Sequence, residues 1–99
     1  MNAKTMFEKL GYKLIGTSSL FQYRKEYNDA WDRLHYEDII FNNNLKGYIT
    51  LAWYNELNDK GTFKNKSYDA IYITIELNKA IQQQIKELGW LDAKKGLEE

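Results

Sequence analysis

Apolar side chains recur at spacings of four and three near the end of the chain. Leu77, Ile81, Ile85 and Leu88, with Ala80 beside them, form one stripe of an amphipathic helix. Thr74 stands where an N-cap belongs, and Glu76 follows in the first turn, facing the positive end of the helix dipole. Gln82, Gln83, Gln84 and Lys86 fall on the side expected to face solvent. A shorter helix carrying Met6, Phe7 and Leu10 is predicted at the start, capped by Asn2 or Thr5. Both helices end on the same pattern, apolar, two charges, Leu, Gly, aromatic: Phe7 to Tyr12 in one, Ile85 to Trp90 in the other. Glycine takes the left-handed conformation that ends a helix, so the aromatic after it is expected to fold back on the apolar residue five positions earlier. The contacts expected are Tyr12 on Phe7 and Trp90 on Ile85. Helix termination accounts for Trp90 more simply than a role as an exposed anchor for a partner.

Between the helices the period changes to two. Phe21, Tyr23 and Tyr27 alternate with Gln22, Arg24 and Glu26, the pattern of a half-buried strand, and residues 12–16 precede it as the other arm of a hairpin. Residues 28–34 are polar and read as a loop anchored by Trp31. Residues 36–41 and 48–54 flank the turn-rich segment from Asn42 to Gly47, a second hairpin. An odd loop there would put Ile39 and Phe41 on one face with Ile49, Leu51 and Trp53. An even loop would pair Tyr36 with Trp53 and Ile40 with Ile49, and would set Asp38 opposite Leu51. The odd loop is preferred because it keeps a carboxylate away from leucine. Residues 55–66 read as a solvated connection, and residues 68–73 as a last short strand with Ile71 and Ile73 inward. The fold class is therefore α+β: an antiparallel sheet of four to five strands, a C-terminal amphipathic helix across one face, and a short N-terminal helix. Residues 1–91 are expected to form the single domain, and 92–99 a polar, disordered tail.

Composition narrows the function. Lys plus Arg number 14 and Asp plus Glu 14, so the formal net charge is zero. Duplex nucleic acid is disfavoured, because a basic face supplies most of that affinity. With no cysteine there is no disulfide framework, thiolate zinc site or cysteine nucleophile. Twelve Lys against two Arg, with nine Asn, nine Ile, eight Tyr and no Val or Pro, is the usage of an AT-rich coding sequence. Tyr and Asn are discounted as binding signals on that ground. No apolar run is long enough to span a membrane and no secretory signal opens the chain, so a soluble cytoplasmic protein is expected.

Candidate chemistry is sparse. His35 is the lone histidine, among Asp32, Glu37 and Asp38, but neighbouring residues at a loop-to-strand junction point to opposite faces. It reads as an exposed junction residue, and no metal or cofactor is expected. Ser18 and Ser19 lack a partner motif, and the six glycines stand apart rather than forming a phosphate loop. Phe63 among Lys60, Lys64 and Lys66 could contact a single-stranded backbone by stacking and charge, although a solvated loop is the plainer reading. Tyr36, Tyr48 and Tyr54, with Tyr23, are candidates for the sheet face away from the helix. Exposed, they would suit a protein interface; a sheet curling over that face would bury them.

The opening MFEKLGYKLI, the middle IIFNN and the closing YITIELNKAIQQQIKELGW resemble a group of small phage- and prophage-encoded proteins of Gram-positive bacteria. The resemblance covers about half the chain, at its ends, and brings no catalytic residues with it. It implies a bacterial cytoplasmic setting. The function expected is a non-enzymatic accessory protein that binds another protein or its own copy, with candidate contacts at Tyr36, Tyr48, Tyr54, Phe63, Lys64 and Lys66. Single-stranded nucleic-acid binding is the alternative.

Overall fold

The computed structural model describes residues 1–16, 20–57, 63–68 and 71–93. The order is α1 (Ala3–Lys9), β1 (Tyr12–Gly16), β2 (Leu20–Asn28), β3 (Leu34–Asn42), β4 (Gly47–Leu57), β5 (Phe63–Tyr68), α2 (Ile75–Glu87) and a 3-10 turn (Trp90–Ala93). The five strands pair antiparallel in sequence order, so the sheet is a plain meander, and the α+β architecture matches the sequence pattern.

Local physics sets the helix ends where they were expected. Asn2 Oδ1 accepts from Thr5 N at 2.8 Å, and Thr74 Oγ1 from Leu77 N at 3.1 Å. Gly11 and Gly89 have φ of 94° and 79°. Their N–H groups donate to the carbonyls of Glu8 and Lys86, each at 3.0 Å, the inner bond of a Schellman ending. Tyr12 turns back edge-on to Phe7 with ring centroids 5.8 Å apart, as predicted. Trp90 joins the buried cluster against which Ile85 packs; its ring lies 6.2 Å from Phe41, and its indole N–H donates to Asn43 Oδ1 at 2.6 Å. The second helix end is thus pinned to the sheet and to the β3–β4 turn.

The helices are also tied to each other. Ala3 N donates to Glu87 Oε2 at 2.7 Å, which places an acid at the start of α1. Together they cover one face of the sheet. Ala3, Phe7, Tyr12, Tyr23, Ile39, Phe41, Leu77, Ala80, Ile81 and Trp90 form the buried core, with Phe7 stacked on Tyr23 at 3.9 Å. Gln84, expected on the solvent side, is buried instead and accepts from Tyr23 Oη at 2.6 Å. A phenol this deep needs an acceptor, and the helix supplies one from within its apolar stripe.

Several strand expectations are corrected. The β3–β4 loop has the even register: Tyr36 lies opposite Trp53, Ile40 opposite Ile49 and Asp38 opposite Leu51. Asp38 does not suffer there, because Arg24 on β2 grips it through two bonds of 2.9 Å and Gln22 Nε2 donates to it at 2.6 Å. Ile49, Leu51 and Trp53 consequently lie on the face opposite the core. The segment 55–66 is not all connection: β4 runs to Leu57, and β5 begins at Phe63. The last strand ends at Tyr68 rather than continuing to residue 73, and of the pair expected inward Ile71 packs on the core while Ile73 is exposed. The polar tail expected from residue 92 starts within the 3-10 turn. Residues 17–19, Lys60, Gly61 and 94–99 lie outside the described residues.

Candidate functional site

Strand register divides the sheet into two unlike faces. Pairing puts Tyr12, Tyr23, His35, Ile39, Phe41, Tyr48 and Tyr54 on the helix-covered side. The other side carries Lys13 and Ile15 of β1, Gln22, Arg24 and Glu26 of β2, Tyr36, Asp38 and Ile40 of β3, and Ile49, Leu51 and Trp53 of β4. No helix covers this second side among the described residues. Ile15, Leu20, Ile49 and Leu51 remain 45 to 57% exposed on it. Scattered apolar residues are ordinary on a surface, but Leu20 and Ile49 join Ile40 of β3 in one groove, so part of this exposed apolar surface is contiguous.

The centre of the open face is closely packed and hydrogen-bonded. Trp53 stacks on Tyr36 at 5.0 Å, and the Arg24 guanidinium lies 5.0 Å from the Tyr36 ring centroid and 5.1 Å from that of Trp53. Asp38 is 1% exposed, and its hydrogen bond to Arg24 holds the guanidinium above its ordinary pKa. A row of charge across the middle of the sheet is therefore neutralised within the molecule. Toward the β3–β4 turn, Leu20, Ile40, Leu45, Tyr48 and Ile49 line an apolar groove of about 390 Å³. Toward the β1 edge, Gly11, Lys13, Ile15, Arg24 and Glu26 line a smaller hollow of about 170 Å³.

The predicted contact residues do not come together. Of the tyrosines, Tyr36 lies on the open face by strand register, and Tyr48, on the helix side by register, also borders the groove at the β3–β4 turn. Tyr48 is tilted 36° beside Phe41 with ring centroids 5.6 Å apart, Tyr54 stacks on His35 at 5.3 Å, and Tyr23 is core. Phe63, Lys64 and Lys66 occupy β5 positions opposite Leu57, Glu56 and Tyr54. They belong to a strand rather than to a mobile loop. The residues that do make the patch, Ile15, Leu20, Ile49 and Leu51, carried a signal in β4, whose alternation of Ile49, Leu51 and Trp53 was assigned inward through the wrong register.

His35 is buried, not exposed. It is stacked between Tyr27 at 4.9 Å and Tyr54 at 5.3 Å, and its Nε2 lies 2.6 Å from Asp29 Oδ2. Asp29, rather than Trp31, anchors the β2–β3 loop. Its carboxylate also accepts from Trp31 N, Arg33 N and Arg33 Nε, while Trp31 is 76% exposed with the Arg33 guanidinium 5.1 Å from its ring. Desolvation pushes the Asp29 pKa up, but the bonds from His35, Arg33 and Trp31 outweigh it and hold the carboxyl well below its usual range. This constellation closes a loop. Asp32 and Asp38 do not join it, and among the described residues no three His, Asp or Glu side chains are grouped to hold a metal.

Compared with family models, curated proteins and solved structures, the chain gives no match. Among the described residues no helix is long and apolar enough to cross a membrane.

Proposed function

We propose that this chain is a protein-binding module that engages another protein through the open face of its sheet. The setting we propose is that of a phage or prophage accessory protein in the bacterial cytoplasm, which the residues at its two ends resemble. One observation carries the reading: Ile15, Leu20, Ile49 and Leu51 stay half exposed around a pre-formed Arg24–Asp38–Tyr36–Trp53 centre. An apolar patch beside satisfied polar groups and rigid aromatics is the composition of an interface centre, which loses little side-chain entropy on contact.

Capture experiments with Ile49→Lys test it. The substitution is at an exposed strand position, so circular dichroism and melting should match the parent chain while the bound protein is lost. A defined turnover reaction, abolished by one substitution outside the core, would overturn the reading. Oligonucleotide binding that weakens steeply as salt rises would favour single strands as the ligand instead.

A further inference from the structure

The helix-covered face carries one row that is not all core. Strand pairing sets Lys25 of β2 between Tyr12 of β1 and Glu37 of β3, all three on the side of the sheet where the helices lie. Lys25 and Glu37 are both half-buried there. Residues directly opposite on antiparallel strands stand close enough for a lysine and a glutamate to pair, yet among the described residues no ion pair joins these two. Each is held by something else. Tyr12 Oη donates to Glu37 Oε1 at 3.3 Å, and burial first, then the Glu37 charge, pushes this phenol well above its ordinary pKa, so it remains a donor. The Lys25 stem runs over Gly11, where a Cβ would lie 3.5 Å from Lys25 Cε, and its ammonium stands 5.8 Å from the Tyr12 ring centroid. Tyr12, Lys25 and Glu37 line a cavity of about 280 Å³, together with Leu10 at the end of α1, Leu77 of α2 and the exposed Tyr72.

We infer that this cavity is a binding site for a small zwitterion, a free α-amino acid with an apolar side chain. Its carboxylate meets the Lys25 ammonium, its ammonium meets the Glu37 carboxylate, and its side chain lies against Leu10 and Leu77. Two opposite charges that are partly removed from water and not spent on each other are each left short of a partner. A simple anion would satisfy Lys25 and be repelled by Glu37; a simple cation would do the reverse. One molecule carrying both charges satisfies both, and the leucine wall selects an apolar body. The volume agrees, since it lies just below the roughly 300 Å³ at which sites for drug-sized ligands begin. The site is on the side of the sheet away from the open face and does not depend on the protein-binding reading.

Titration calorimetry tests the proposal with L-leucine as the probe, beside isocaproate, which lacks its ammonium, and isoamylamine, which lacks its carboxylate. The parent chain should bind L-leucine, and each analogue should bind roughly tenfold more weakly or worse, because each has lost one charge-assisted contact. The variants then assign the two ends. Lys25→Met should weaken L-leucine by a similar factor without weakening isoamylamine, and Glu37→Gln should weaken L-leucine without weakening isocaproate, with both variants folded by circular dichroism. No binding of L-leucine to the parent chain at millimolar concentration would overturn the proposal, and so would either analogue binding it as tightly as L-leucine. Both of those results come from the parent chain, so they hold even where a variant fails to fold.

Discussion

Trp90 shows how one side chain serves two elements. Its ring seals the core at Phe41, and its N–H binds the β3–β4 turn at Asn43. Trp90→Ala is expected to cost about 3 kcal/mol or more, because the cavity opens between helix and sheet. Asn43→Ala removes only the hydrogen bond and should cost about 1 kcal/mol. A drop confined to the first variant in urea titrations would show that packing, not the bond, sets the effect. Gly89→Ala forces a side chain into the left-handed region and should cost about 1 kcal/mol, with Asn tolerated better. Gln84 and Tyr23 form a different kind of unit. Removing the donor in Tyr23→Phe strands a buried amide and should cost about 1 to 3 kcal/mol, whereas Tyr23→Phe with Gln84→Leu should recover most of that. A double-mutant cycle reads the coupling directly.

Asp29 gives the residue scale its pH dependence. Its pKa is lower folded than unfolded, so it contributes stability above the ordinary carboxylate value and loses that contribution as pH falls toward the folded value. The stability gap between the parent chain and Asp29→Asn should therefore be constant near neutrality and shrink below about pH 4. Tyr23 acts at the other extreme. Burial first, then the charges of Glu87 and Glu8, push its phenol up to about 12. Its contribution is complete below the ordinary tyrosine value and is lost as pH rises through the folded one. Alkaline melts from about pH 10 upward should show the slope, and Tyr23→Phe should flatten it.

At the scale of elements, what could be read from the sequence was whatever neighbouring residues decide. Thr74, Leu77, Ile81 and Gly89 announce α2 within sixteen residues, and Thr74→Ala should cost about 1 kcal/mol by removing the cap on Leu77 N. The β3–β4 register was misread for a physical reason. Asp38 opposite Leu51 is unfavourable only while Asp38 is alone, and its counter-charge, Arg24, comes from the far side of β3. A pair fourteen residues apart decides the face of every side chain in the hairpin. The same error hid the candidate site, because a one-residue slip moves Ile49, Leu51 and Trp53 from core to surface. His35 was misjudged similarly: its place between Tyr27 and Tyr54 depends on three strands meeting, which no local pattern records. Arg24→Met should destabilise the sheet centre more than Asp38→Ala, because it strands the buried Asp38 carboxylate without its counter-charge, whereas Arg24 is partly exposed and can turn to solvent.

For the molecule as a whole, one sheet face is covered by helices and the other is open, and thermal melts can sort the two. Ile81 is fully buried between α2 and the sheet. Ile81→Ala should cost about 2 to 5 kcal/mol, a large share of the 5 to 15 kcal/mol typical of a domain. Ile49→Lys and Leu51→Lys lie on the open face and should shift stability by no more than about 0.5 kcal/mol in dilute solution. Concentration tests whether the folded chain associates with itself. If two copies close over this face, association binds the native state and not the unfolded chain, so the melting temperature of the parent chain must rise with protein concentration. In Leu51→Lys it should not. Scanning calorimetry over a hundredfold range of concentration reads both slopes, and a parent melting temperature that stays flat would mean that no second copy binds this face over that range.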